Sequence, residues 1–79
     1  MPVPKAASEL DDLLLRIDYA SLTINYYGHA SPGTAASSAL WRIKRETLDS
    51  QSRTTIIEYA DGDASFDNVW DDRATLSFS

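Results

Sequence analysis

The chain has no cysteine. Disulfides, thiolate zinc sites, iron–sulfur ligation and cysteine nucleophiles are thereby excluded, and stability must come from packing. Histidine occurs once, as His29, so a multi-histidine metal site is excluded and one imidazole is left for any base role. No apolar run exceeds three residues, as in Leu13-Leu14-Leu15, whereas a bilayer-spanning helix needs about 20. Positive charge is scarce: 7 Lys and Arg against 12 Asp and Glu give a net charge of −5. Phosphate binding needs clustered cations, so nucleic acid is not expected as a partner, and neither is a membrane. Met1-Pro2-Val3-Pro4-Lys5 has no apolar core and is soon followed by Glu9, Asp11 and Asp12, which predicts no secretory signal and synthesis in the cytoplasm.

What is present is one small domain of 79 residues. A core of that size supplies only about 3–5 kcal/mol, which favours oligomerisation or docking on a partner. After the proline-rich arm, Ser8 is a candidate N-cap, and Leu10, Leu13, Leu14 and Ile17 repeat at i, i+3, i+4, i+7. That spacing predicts a short amphipathic helix over 8–18, marginal alone and in need of a surface to bury its stripe. From Leu22 to Tyr27 the alternation becomes that of a strand, in which Tyr26 and Tyr27 face opposite sides. The small and polar residues from Gly28 to Ser38 predict a loop. A second strand is expected over 39–47, with Trp41 and Ile43 on one face and Leu40, Arg42 and Lys44 on the other. A third, over 53–59, should form an antiparallel hairpin with it, because the link is short. Ala60-Asp61-Gly62-Asp63 predicts a turn, Phe66 to Arg73 one or two helical turns, and Ala74 to Phe78 a last strand. The fold class expected is mainly β (α+β): a small antiparallel sheet or partial barrel of about four strands, preceded by one short N-terminal helix. Residues 1–20 form the arm and docking helix in this reading, and 21–79 the β domain.

Candidate chemistry is thin. Asp61, Asp63, Asp67, Asp71 and Asp72 lie within twelve residues, but Asp-Gly-Asp-Ala-Ser-Phe departs from the calcium-loop order, so a solvated turn with helix capping is expected. His29 lies near Ser31, Ser37 and Ser38 without any nucleophile-elbow sequence, so no catalytic residues are assigned. No metal or cofactor is expected. Arg42, Lys44 and Arg45 form the basic cluster, and cross-strand pairing of Arg42 or Lys44 with Glu58 is its simplest role. The aromatic residues Trp41, Tyr59, Phe66, Trp70 and Phe78 predict one aromatic core. Arg73 is placed to stack on an indole or to pair with Asp71 or Asp67.

Three stretches carry a resemblance: Trp41-Arg42-Ile43-Lys44-Arg45; Ile57-Glu58-Tyr59-Ala60-Asp61-Gly62-Asp63; and Phe66-Asp67-Asn68-Val69-Trp70-Asp71-Asp72-Arg73-Ala74-Thr75-Leu76-Ser77-Phe78-Ser79. With Tyr27-Gly28-His29-Ala30-Ser31-Pro32-Gly33-Thr34 they resemble a group of short proteins of tailed bacteriophages and prophages, over about residues 26–79. In that group a Trp-x-Ile-x-Arg … Ala-Asp-Gly-Asp-x-x-Phe-Asp-Asn-x-Trp-Asp-x-Arg motif closes the chain, with an aromatic where Phe78 stands. The resemblance implies a virion-associated structural protein rather than an enzyme, located in the particle and surrounded by other virion proteins. It does not fix a place at head, neck or tail. Repetition in a symmetric particle implies a homo-oligomer. The expected oligomer or docking surface is Leu10, Leu13, Leu14 and Ile17 with Tyr26 and Tyr27. The expected motif core is Trp41, Ile43, Tyr59, Phe66, Trp70 and Arg73. The alternatives are a host-recognition or carbohydrate-binding tip module, a small inhibitor of a host enzyme, and a catalytic protein. Exposed Trp or Tyr near residues 28–38 would favour the tip module, and burial of Trp41 and Trp70 would weaken it.

Overall fold

A computed structural model describes residues 12–79. They form an antiparallel sheet of strands β1 (Leu14–Asp18), β2 (Ile24–Ala30), β3 (Ala39–Leu48) and β4 (Thr54–Tyr59), in the order β1-β2-β3-β4. A two-residue strand β5 (Asn68–Val69) pairs with the start of β3, and a 3-10 helix follows at Trp70–Thr75. The chain among these residues is thus mostly β with little helix, as expected.

The expected helix over 8–18 is corrected in its C-terminal part. Leu14–Asp18 is a strand in register with Ala30–Tyr26 of β2, and Asp12 and Leu13 form a turn and bend. Ser8 to Asp11, with Leu10, lies outside the described residues. The physical reason lies in Leu13, Leu15 and Ile17, which also fit a period of two. A short helix is marginal in water, whereas an added strand gains a full ladder on β2. The division at residue 20 moves with it, because β1 belongs to the same sheet as β2–β4.

Alternation gives the sheet two unlike faces. On the first, Trp41 and Ile43 of β3, Tyr26 and Ala30 of β2, Ala60 and Trp70 make the buried core. Leu14, Ile24, Ala36, Leu76 and Phe78 pack around it. The segment from Asn68 to Phe78 is the layer that covers this face. It is fastened at both ends: Asp71 N donates to Ala36 O at 3.1 Å, and Tyr59 and Ser79 exchange two backbone hydrogen bonds at 3.1 Å.

Other expectations are corrected here too. Gly28, His29 and Ala30 belong to β2 rather than to a loop, and the loop proper is Ser31–Ser38. Its Ala35 carbonyl accepts the indole N–H of Trp41 at 2.9 Å, which satisfies the one polar atom of a fully buried ring. The last strand shrinks to one bridge, Ala60 to Phe78. The helical turns begin at Trp70 rather than Phe66.

Candidate interaction surface

The covered face explains most of the motif. Trp41 and Trp70 rings pack tilted at 5.8 Å between centroids. Arg73 lies over the Trp70 ring at 4.6 Å and donates from Nε to Asp18 Oδ2 at 2.9 Å. It also donates from Nη1 to Trp70 O at 3.1 Å. Its expected stacking is therefore present, but its carboxylate partner is Asp18 of β1 and not Asp71 or Asp67. Fifty-five residues separate the two, and only the β1 strand brings Asp18 there. Arg45 is the residue that pairs with Glu58, at 3.0 Å, and it also lies over Phe78 at 4.8 Å. Arg42 and Lys44, expected in that role, point to the other face. Arg16 lies 5.9 Å above Trp41.

The aromatic core is smaller than expected. Trp41, Trp70, Tyr26 and Phe78 belong to it, with Tyr26 and Phe78 rings 5.8 Å apart. Tyr59 is half-buried on the opposite face, and Phe66 is exposed beneath the Arg42 guanidinium at 5.1 Å. Two expected docking residues are likewise reassigned. Tyr26 is buried in the core, and Leu14 packs against it. Leu13 is half-buried, Tyr27 is half-buried on the open face, and Ile17 is exposed.

The second face has no layer over it among the described residues. Two rows of paired residues cross it. One is Ile17, Tyr27, Lys44 and Tyr59, taken from β1 to β4; the other is Leu15, His29 and Arg42. Lys44 sits 5.8 Å from the Tyr27 ring. Burial, and then the Arg42 and Lys44 cations, push the His29 imidazole below its ordinary 6.5, which favours its neutral form. His29 Nδ1 and Arg42 Nε find no hydrogen-bond partner among the described residues. Beside these rows, Glu46 accepts from Asn25 Nδ2 at 3.0 Å, from the Tyr27 hydroxyl and from the Thr54 hydroxyl. The Thr54, Tyr27 and Asn25 donors hold the Glu46 carboxyl down at about 2, and the Tyr27 hydroxyl is pushed above 10.0 chiefly by its bond to Glu46.

The large apolar side chains left exposed include Leu15, Ile17, Tyr19 and Leu22 on or just after β1, and Ile56 and Ile57 on β4. Of the residues expected at the docking surface, Tyr26 and Leu14 go to the core side, and the side chains that β1 leaves exposed on the open face are Leu15 and Ile17. Reading 13–18 with a period of two would have selected Leu15 and Ile17. Among the described residues no three His, Asp or Glu side chains converge to hold a metal ion, and Asp61 to Asp72 are spread along an exposed turn and helix. No helix among them is long and apolar enough to cross a membrane. Comparison with protein-family models, with curated proteins and with solved structures finds no match.

Proposed function

We propose that the chain is a structural component of a tailed-bacteriophage particle, a minor protein at capsid, neck or tail. In this reading it works by self-association and docking on other virion proteins rather than by catalysis. The observation that carries the docking part is the two-faced sheet. One face is filled by Trp41, Ile43 and Trp70, while the other presents Leu15, Ile17 and Ile57 to solvent. Small domains are built from packed layers, and a sheet face that has no second layer among the described residues and leaves Leu15, Ile17 and Ile57 exposed at its two sides fits a chain that completes itself against a partner.

The virion part rests on the resemblance over residues 26–79, and the roles of the motif residues support it. Trp41, Ile43, Trp70 and Arg73 are spent on holding the covering segment to the sheet. A motif of that kind marks a shared architecture. The tip-module alternative loses ground because both tryptophans are buried, Trp41 completely.

The test is mass spectrometry of purified phage particles from the strain that encodes the chain. The expected result is its presence at a fixed ratio to the major capsid protein. Abundance in infected cells with absence from particles would overturn the reading.

A further inference from the structure

We propose that β1 is a self-pairing edge, through which two copies join antiparallel about a two-fold axis centred on Ile17 into one continuous sheet. The inference rests on the self-association part of the reading above.

The hydrogen-bond alternation identifies the free groups. Leu48 N donates to Thr23 O at 2.8 Å, and Ala60 N donates to Ile43 O at 2.9 Å. These two bonds fix which residues of β2 and β3 face which neighbour. Tyr26, Gly28 and Ala30 then turn their N–H and C=O toward β1, where Asp18, Arg16 and Leu14 stand opposite them. Leu15 and Ile17 therefore direct theirs away from the sheet. Among the described residues nothing pairs with them. The opposite edge is blunted. In β4 the register shifts by a bulge opposite Thr47 and Leu48, and Ser79 occupies the outward groups of Tyr59. Both are devices that protect an edge. β1 has no bulge, no proline and no covering strand among the described residues.

Charge selects a second copy as the occupant and fixes the register. If β1 paired with Arg16 opposite the partner's Arg16, like charges would meet directly. Shifting the axis to Ile17 sets Arg16 opposite the partner's Asp18, twice by symmetry. Asp18 is free to take it: Arg73 bonds Oδ2, and Oδ1 accepts nothing among the described residues. On the open face the same register sets Ile17 beside the partner's Ile17, and Leu15 beside the partner's Tyr19. These three side chains are 43%, 47% and 74% exposed in the single chain. One alignment thus joins the outward backbone groups, pairs both charges and covers the apolar residues at that edge. An isologous contact of this kind closes at two copies.

The experiment is sedimentation equilibrium of the full chain up to about 1 mM, with Ile17→Pro and Ile17→Lys beside the parent. Proline removes the outward N–H while sparing the β1–β2 ladder. Lysine puts two ammonium groups together on the axis. The expected result is a dimer whose Kd rises at least about tenfold in both variants, with unchanged circular dichroism. If Ile17→Pro unfolds, Ile17→Lys decides alone. A monomer throughout, a dimer indifferent to the folded variants, or masses growing beyond the dimer would each overturn the proposal. A monomer that is nevertheless found in particles overturns the dimer and leaves the virion reading standing; a dimer absent from particles does the reverse.

Discussion

At Gly28 a hydrogen stands where any other residue would place a carbon 2.6 Å from Trp70 Cζ3 and 3.0 Å from Trp41 Cε3. The covering segment can lie this close to the sheet only because β2 has no side chain at that point. Gly28→Ala should therefore destabilise the fold by about 1–3 kcal/mol, as overpacking does, measured by urea unfolding. A neutral result would mean that Trp70 does not rest on β2. Trp70→Ala removes the ring from the other side of the same contact and should cost about 3–5 kcal/mol, seen as a large fall in the melting temperature. An unchanged melting curve would place Trp70 at the surface. Arg73→Ala loses both the indole contact and the tie to Asp18. A loss of about 2 kcal/mol is expected, and at concentrations where the chain is monomeric Asp18→Ala combined with it should add little, because within one chain the two residues share one interaction.

Between elements, Glu46 is the polar tie. It stands in β3 and accepts from Asn25 and Tyr27 of β2 and from Thr54 of β4. Its folded pKa of about 2 lies below the 4.5 of the free side chain. The unfolded chain therefore binds a proton first as pH falls. The contribution is fully present above 4.5 and is lost between 4.5 and about 2. Glu46→Gln should flatten that part of the stability–pH curve, and an acid limb unchanged by it would assign the loss to other carboxylates. His29 acts at higher pH. Its folded pKa is lowered from 6.5, so the unfolded state takes up the proton first and stability falls as pH drops below 6.5. His29→Gln should remove that slope in urea melts between about pH 7 and pH 5.

For the whole molecule, the unequal faces of the sheet are the decisive feature. The covered face uses one copy each of Trp41, Ile43 and Trp70, and the open face leaves Leu15, Ile17 and Ile57 exposed. Pairing through β1 would place the open faces of two copies side by side, with Leu15, Ile17 and Tyr19 of both copies as an apolar seam at their centre, suited to lie on a larger assembly. Mass and stability should then move together. Raising the chain concentration should raise the melting temperature, because association stabilises only the folded form. A melting temperature independent of concentration would speak for a free-standing monomer.

Composition and pattern determined by themselves that this chain is a small antiparallel β domain without thiol chemistry, and that Trp41, Ile43 and Trp70 are central. Two of its hairpin strands, its acidic turn and the opposite placement of Tyr26 and Tyr27 were legible, because alternation and turn chemistry are local. Tertiary structure decided the rest. Leu13 to Asp18 fits two periods, and only the edge offered by β2 made it a strand. Gly28 to Ala30 has a loop's composition, yet it lies in a strand because the tryptophans need a bare backbone to rest on. Arg73 found Asp18 rather than its near neighbours, since sequence spacing says nothing about what a folded sheet carries across 55 residues. The exposed apolar edge followed those choices: once 14–18 became a strand, Leu15 and Ile17 turned outward and Leu14 turned in.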